Sequence, residues 1–415
     1  MSELIEKAKN VKAASYLLAN LSSTVKNNGL AKMAELLLEN EELILTANRK
    51  DVENFRIKNN NKAMIDRLAL TPKRIKEMAD SLHTLITLPD PIGEVLSMWK
   101  RPNGLTIGQK RVPIGVIGII YEARPNVTVD AAGLCLKSGN AVLLKGGSEA
   151  IHSNSAIIGV LKEALKSSGI PEGVVELIET TDRETTLEMM KLNQYIDVLI
   201  PRGGAGLIQT VVQHATVPVI ETGTGNCHVY VCEDADIEMA ENIIVNAKTS
   251  RPAVCNAAET LLVDERIAKR FLPHAIEVLR NKEVEIRGCE KVRAIVSDVT
   301  SATEEDWSTE YLDTILAVKV VRDIDEAIAH INQYGTGHSE AIITSGYDHS
   351  QKFLQEVDAA AVYVNASTRF TDGAEFGFGA EIGISNQKLH ARGPVGLKEL
   401  TTVKYIIFGN GQIRE

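Results

Sequence analysis

Aromatic residues are scarce in this chain, 4% of 415 residues. So few rings offer little on which unpaired nucleobases could stack. Cysteine is scarcer still, with five residues at no regular spacing. An odd, sparse set argues against a disulfide-built scaffold and fits a reducing compartment. Long apolar runs are lacking too. The longest, Val112 to Tyr121, is about half of what a membrane-spanning helix needs. Met1 to Asn20 is charged and carries its apolar residues at helical spacing, so it reads as structure and not as a secretory leader. Positive charge is in deficit: Lys+Arg 45 against Asp+Glu 55 leaves −10. That acidity disfavours nucleic acid and anionic membrane as partners. The expectation is a cytoplasmic protein with neither as a partner.

The apolar fraction of 44% and charged fraction of 24% are those of an ordinary globular protein. The length exceeds one compact core and implies two domains or more. The first ninety residues read as helices, with Ile5, Ala8, Val11, Ala14, Leu17, Leu18 and Leu21 at helical spacing. Thr71-Pro72 is a helix start. Ser97 to Arg101 and Leu105 to Val112 are extended runs joined by Pro102-Asn103-Gly104, a hairpin signal. Strands and helices then alternate, with strands expected at Ile114 to Tyr121, Ala141 to Leu144, Val174 to Ile178, Val198 to Pro201 and Val217 to Ile220. A second alternating block runs from Val229 to Leu397. Such alternation indicates doubly wound, mostly parallel α/β sheets. The junction falls near Gly223 to Asn226. The division expected is residues 1–96 and 113–224, residues 225–398, and an arm of residues 97–112 and 399–415 whose strands suit pairing with a second copy.

Cys255 is the foremost candidate for chemistry. It lies on a short loop between an expected helix and strand, with Arg251 and Lys248 nearby in sequence. Positive charge favours the thiolate, the nucleophilic form. A buried structural thiol is the alternative. Two glycine turns, Lys145-Gly-Gly-Ser148 and Arg202-Gly-Gly-Ala-Gly206, each join a strand to a helix. They could offer backbone N–H groups to a phosphate, or simply connect elements. Glu221 ends a strand, where a carboxylate could act as a base or hold an ammonium group. Glu310 is a loop carboxylate. Cys227-His228 with Cys232 matches no common zinc spacing, so no metal is expected there.

Taken in order, these residues resemble the aldehyde dehydrogenase superfamily. Pro113-Ile-Gly-Val-Ile-Gly118 is similar to its first cofactor strand, and Ser138-Gly-Asn-Ala-Val-Leu-Leu-Lys145 to the strand whose lysine meets the adenosine ribose. Gly203 and Gly204 fall on its second glycine turn, Glu221 on its internal glutamate, Cys255 on its nucleophile, and Glu310 on the glutamate that meets the nicotinamide ribose. Phe376-Gly-Phe-Gly379 resembles its late glycine motif. The resemblance implies an aldehyde dehydrogenase-like fold, with a cofactor-binding and a catalytic domain plus a β-hairpin oligomerisation arm. It also implies a homo-oligomer.

Longer strings resemble the branch that reduces glutamyl phosphate: Ile120-Tyr-Glu-Ala-Arg-Pro-Asn-Val127, Leu144-Lys-Gly-Gly-Ser-Glu-Ala150, Pro201-Arg-Gly-Gly204, Glu221-Thr-Gly-Thr-Gly-Asn-Cys-His228, Cys255-Asn-Ala-Ala-Glu259 and His390-Ala-Arg-Gly-Pro-Val-Gly396. That branch implies NADPH-dependent reduction of L-glutamyl 5-phosphate to L-glutamate 5-semialdehyde and phosphate through a Cys255 thioester, the second step from glutamate to proline. The superfamily's usual Trp-Asn-Phe-Pro is replaced here by Glu122-Ala-Arg-Pro-Asn126. Arg124 falls on the oxyanion asparagine without a gap, Asn126 with a shift of two. Ser148 stands where relatives often carry an acid, which with Lys145 and Gly147 favours NADP over NAD. Arg124, Arg251 and Arg392 are the cations expected to hold the substrate's carboxylate and phosphate. Glu221 is left with two roles, binding the substrate ammonium or assisting proton transfer. Two other readings remain open. One is a hydrolytic, NAD-dependent semialdehyde dehydrogenase, and the other is an inactive structural homologue. Docking of a glutamate 5-kinase is a further possible partnership.

Overall fold

The computed structural model describes residues 2–58 and 62–414. The chain forms two compact units. The first comprises Met1–Thr222, Gly377–Gly383 and Val395–Glu415, the second Gly223–Phe376 and Ile384–Pro394. Residues 377–383 and 395–398, which the sequence pattern groups with the second domain, thus pack with the first. No helix among the described residues is long and apolar enough to cross a membrane.

In the first unit the leading residues are helical, as their spacing predicts: Glu3–Leu18, Ser23–Glu39, Glu41–Lys58, Lys62–Leu68 and Pro72–Thr87. Their starts follow from capping. Ser2, Ser22 and Thr71 accept the backbone N–H of Ile5, Val25 and Arg74, and Pro72 occupies a first-turn position where no N–H is needed. Leu4, Ala8 and Val11 on the first helix join Val116, Ile120, Leu143 and Leu199 in one core. The parallel sheet they cover is ordered Val175–Leu177, Ala141–Gly146, Val116–Tyr121, Val198–Arg202. The chain begins at Val116–Tyr121, works outward on one side, then returns to the other. The strand order therefore reverses between Val116–Tyr121 and Val198–Arg202, and the carboxyl ends of such a pair form the usual ligand crevice.

The expected strand Val217 to Ile220 is reduced to a single bridge, Leu199 with Val219. Pro218 is the reason: its carbonyl accepts from Leu199, but it has no N–H to return. The hairpin Val95–Lys100 and Thr106–Pro113 forms with its turn at 101–105, and Thr401–Phe408 adds antiparallel to it. Its exposed apolar side chains include Leu96, Met98, Trp99, Tyr405 and Ile407.

The second unit holds seven parallel strands in the order Thr300–Ser301, Glu285–Gly288, Ile315–Val321, Ala258–Asp264, Cys227–Val231, Ser339–Ile343, Ala361–Val364. Both faces are covered, as a parallel sheet requires. Val229, Leu261 and Val318 pack under Ile244, Phe271 and Ile276 on one face. Tyr230, Leu262 and Ile342 pack under Ile328 and Phe353 on the other.

Candidate active site

In the first unit, candidate residues gather where the strand order reverses. Glu122 N–H donates to the Arg202 carbonyl (3.0 Å), and Gly204 N–H returns to Glu122 Oε2 (3.0 Å). A Cβ on Gly203 would stand 2.5 Å from that same carboxylate oxygen, and 2.8 Å from Leu207. Helix Ala205–His214 begins at Gly204 with no side-chain cap. The Glu122 carboxylate thus already takes the N-cap N–H, and an anion binding there would share the first turn with it.

The other glycine turn is built differently. Strand Ala141–Gly146 carries Lys145 and Gly146 inside it, so the turn starts at Gly147. The helix that follows, Ile151–Ser167, does not present an open end. Asp51 accepts the N–H groups of His152 (3.2 Å) and Ser153 (2.7 Å) and the Ser153 hydroxyl (2.6 Å). A carboxylate from 101 residues away fills the place a phosphate would take. Lys145 is buried, and burial lowers its pKa. Its Nζ reaches the Gly146 carbonyl at a long 3.4 Å, with the charges of Asp182, Glu3 and Glu149 facing it. Glu149 is drawn to Ala123 N–H (2.6 Å), where Ala123 has a positive φ of 39°. Ser148 is exposed. A weakly held buried ammonium and an exposed hydroxyl beside these glycine turns fit a nicotinamide dinucleotide.

Arg124 and Asn126 open helix Pro125–Lys137. Arg124 is half-buried at the N-cap, and Asn126 is exposed. Asn126 Nδ2 donates to Asp130 Oδ2 (3.1 Å), whose pKa burial pushes up to about 6. Glu221 is half-buried at the end of the unit.

The second unit brings two of the expected residues, Cys255 and Glu310, together around Gly225. Cys255 is half-buried on the loop between helix Ile237–Thr249 and strand Ala258–Asp264. The loop sits at the amino end of the sheet, beside the start of Cys227–Val231: Cys227 Sγ donates to the Cys255 carbonyl at 3.1 Å. Gly225 N–H donates to Glu310 Oε1 (2.7 Å), and burial raises the Glu310 pKa. A Cβ on Gly225 would overlap the Cys255 carbonyl oxygen and stand 2.7 Å from its Cα. Asn256 anchors the loop from below. Its side chain donates to the Thr371 carbonyl (2.9 Å), and its carbonyl accepts from Thr368 Oγ1 (2.7 Å).

The charge beside the thiol differs from expectation. Lys248 does not serve Cys255. Its ammonium lies 2.6 Å from Glu259 Oε2, both side chains wholly buried. A cation whose charge does act on Cys255 is one that sequence reasoning missed, Arg369. It bonds the Asn256 side chain and Ser250 Oγ (3.1 Å), and its charge acts on both Arg251 and Cys255. Burial lowers its pKa, and the neighbouring Arg251 adds to that. Arg251 itself is exposed. Only the order of the chain hides Arg369, which follows strand Ala361–Val364 more than a hundred residues later. Arg392 donates instead to Asp358 (2.8 Å), beside a cleft of about 420 Å³ shared with Glu340, Asn386 and Lys388.

Burial pushes Glu259 up to about 7 and Lys248 down. Lys248→Met would strand the carboxylate, at a cost of about 3–5 kcal/mol. The sign with pH follows from linkage. A carboxyl whose folded pKa lies above its unfolded value loses stability as pH rises from the unfolded to the folded pKa. In the native protein that loss ends near pH 7; without Lys248 it continues higher. Urea unfolding should therefore show a deficit larger at pH 9 than at pH 6. An equal deficit at both would contradict the pairing.

Parallel sheets of this topology, with these residues at their ends, are those of an aldehyde dehydrogenase. The family model described as "Aldehyde dehydrogenase family" matches residues 1–291 and 280–406, and the chain belongs to that family. Two curated relatives are called gamma-glutamyl phosphate reductase. That of Clostridium botulinum (strain Eklund 17B / Type B) is 68% identical over 414 residues, and that of Caldicellulosiruptor bescii 65% over 419, each covering 100% of both chains. The crystal structure of gamma-glutamyl phosphate reductase from Thermotoga maritima matches with a TM-score of 0.98 at 58% identity, covering 100% of both chains. An acetylating aldehyde dehydrogenase from Geobacillus thermoglucosidasius shares the fold at 19% identity, with a TM-score of 0.71 over 100% of this chain and 98% of its own.

Proposed function

We propose that the chain reduces L-glutamyl 5-phosphate to L-glutamate 5-semialdehyde with NADPH, releasing phosphate, in the cytoplasm and as the second step of proline formation from glutamate. The observation that carries this reading is the Cys255 loop packed on Gly225 and braced through Glu310, in a chain whose full-length relatives bear the name of that reductase.

The Cys255 thiolate, favoured by Arg369 and Arg251, attacks the acyl carbon. Phosphate leaves with the bonding electrons, and a glutamyl thioester remains. The backbone N–H of Cys255 and the side chain of Asn126 steady the oxyanion formed at the carbonyl. Lys145, Gly147 and Ser148, with the glycine turn at Gly203 and Gly204, would hold the dinucleotide, and Glu310 would take its nicotinamide ribose. When bound, that cofactor supplies the hydride that takes the acyl group to the aldehyde level. Arg124, Arg251 and Arg392 hold the substrate's anionic groups. Glu221 holds its ammonium, which keeps this carboxylate from activating a water that would hydrolyse the thioester. The exposed apolar strands Val95–Lys100 and Thr401–Phe408 pair with a second copy.

Run in the oxidative direction, with glutamate 5-semialdehyde and NADP, the reaction should depend on added phosphate or arsenate and go poorly with NAD. A rate independent of phosphate would assign the chain to the hydrolytic, NAD-dependent class instead.

A further inference from the structure

The second sheet has a switch point of its own, at the end opposite Cys255. Strand Cys227–Val231 starts against the Cys255 carbonyl and ends at Cys232. Its neighbours are Ala258–Asp264 on one side and Ser339–Ile343 on the other, and the chain order reverses between them. That is again a carboxyl-end switch point, where ligands of α/β sheets bind.

Three donors of different kinds meet there. Cys232 is buried, and its Sγ lies 3.4 Å from His349 Nδ1. The same nitrogen lies 3.2 Å from Asp234 Oδ2. All three ligand atoms fall within 4.8 Å of one another. A tetrahedral zinc ion with bonds of about 2.3 Å to sulfur and about 2.0–2.1 Å to nitrogen and oxygen needs edges of about 3.5 Å and 3.3 Å. The two observed edges are close to these lengths before any ion is added.

The surroundings also suit a metal. Thr344 Oγ1 donates to Asp234 Oδ1 (2.6 Å) and in turn accepts Gly346 N–H (3.0 Å), while Ser345 Oγ donates to the Asp234 carbonyl (2.6 Å). Outer hydrogen bonds of this type orient a ligating carboxylate. Gly346 leaves the room: a Cβ there would lie 2.5 Å from Asp234 Oδ2 and 3.1 Å from His349 Nδ1. Asp234 and His349 are half-exposed, which gives an ion a way in and a water the fourth position.

We propose that Cys232, Asp234 and His349 bind a divalent cation of the zinc class, with water as its fourth ligand. Thiolate and imidazole select such an ion over magnesium or calcium. Binding expels the Cys232 proton to solvent and shifts the His349 ring proton from Nδ1, where it donates to Asp234, to Nε2, which frees the Nδ1 lone pair for the metal. The ion ties the end of a central strand to helix Tyr347–Glu356 and takes no part in the chemistry at Cys255.

The test is cobalt(II) titration of the full chain carrying Cys255→Ser, which removes the competing reactive thiol. One equivalent should produce a near-ultraviolet thiolate-to-cobalt band, and zinc should displace it and raise the melting temperature. Adding Cys232→Ser should abolish the band and the thermal shift. His349→Gln, at a half-exposed position that the fold tolerates, should weaken binding by about tenfold or more. Cys289→Ser should change neither. No band from folded protein, or a band that survives Cys232→Ser, would overturn the assignment.

Discussion

Serine at position 255 is expected to slow turnover by about ten-thousand-fold or more, while the melting temperature and dinucleotide affinity stay near those of the native protein. The geometry explains both halves of this result. The Cys255 side chain is half-buried, and the loop is fixed by its neighbours: Asn256 to Thr371 and Thr368, and the Cys255 carbonyl to Cys227. An isosteric change of sulfur to oxygen leaves those anchors untouched. The chemistry does not survive it. A hydroxyl ionises far less readily than a thiol, and Arg369 and Arg251 cannot close that gap. Losses of the order of a millionfold follow removal of a nucleophile elsewhere. An inactive homologue would show no loss. Retention of more than about a tenth of the native rate would remove Cys255 from the mechanism.

Alanine at position 225 is expected to cost about a hundredfold or more in turnover. The added Cβ has no rotamer to escape through, because the atoms it meets are backbone atoms of Cys255. Either the Gly225 segment or the Cys255 loop has to move. Moving the first stretches the 2.7 Å bond from Gly225 N–H to Glu310, and moving the second displaces the sulfur. A displacement near 1 Å is enough for a loss of that size. Gly223 is the internal comparison. A Cβ there meets the end of the Asn386 side chain, which can swing aside at the expense of its bonds to the Thr224 and Thr336 carbonyls. Gly223→Ala should therefore be milder. Steady-state kinetics and melting curves of the two variants check this; equal, small effects would contradict the packing described.

What was legible in the sequence is what local order encodes. The βα alternation, the Thr71 cap and the hairpin at Pro102-Asn103-Gly104 are short-range features, and they stand in the structure close to where the pattern put them. The Cys255 loop was legible for the same reason, being bounded by Pro252 and flanking elements. What escaped was set by distant partners. Asp51 closes the helix end that Lys145-Gly-Gly-Ser148 seemed to offer, and Glu259 claims the charge of Lys248. Arg369, over a hundred residues further along the chain, acts on Cys255 through its charge. Val217 to Ile220 was overread because its apolar run hides a proline that cannot pair.

The most direct measurement is the mass of the protein quenched during exposure to freshly made glutamyl phosphate with no dinucleotide present. A single added glutamyl group, mapped to the peptide that carries Cys255 and released by hydroxylamine, is the expected result. Protein left unmodified by a substrate preparation that it turns over once NADPH is added, or an adduct on another residue, would contradict the thioester route.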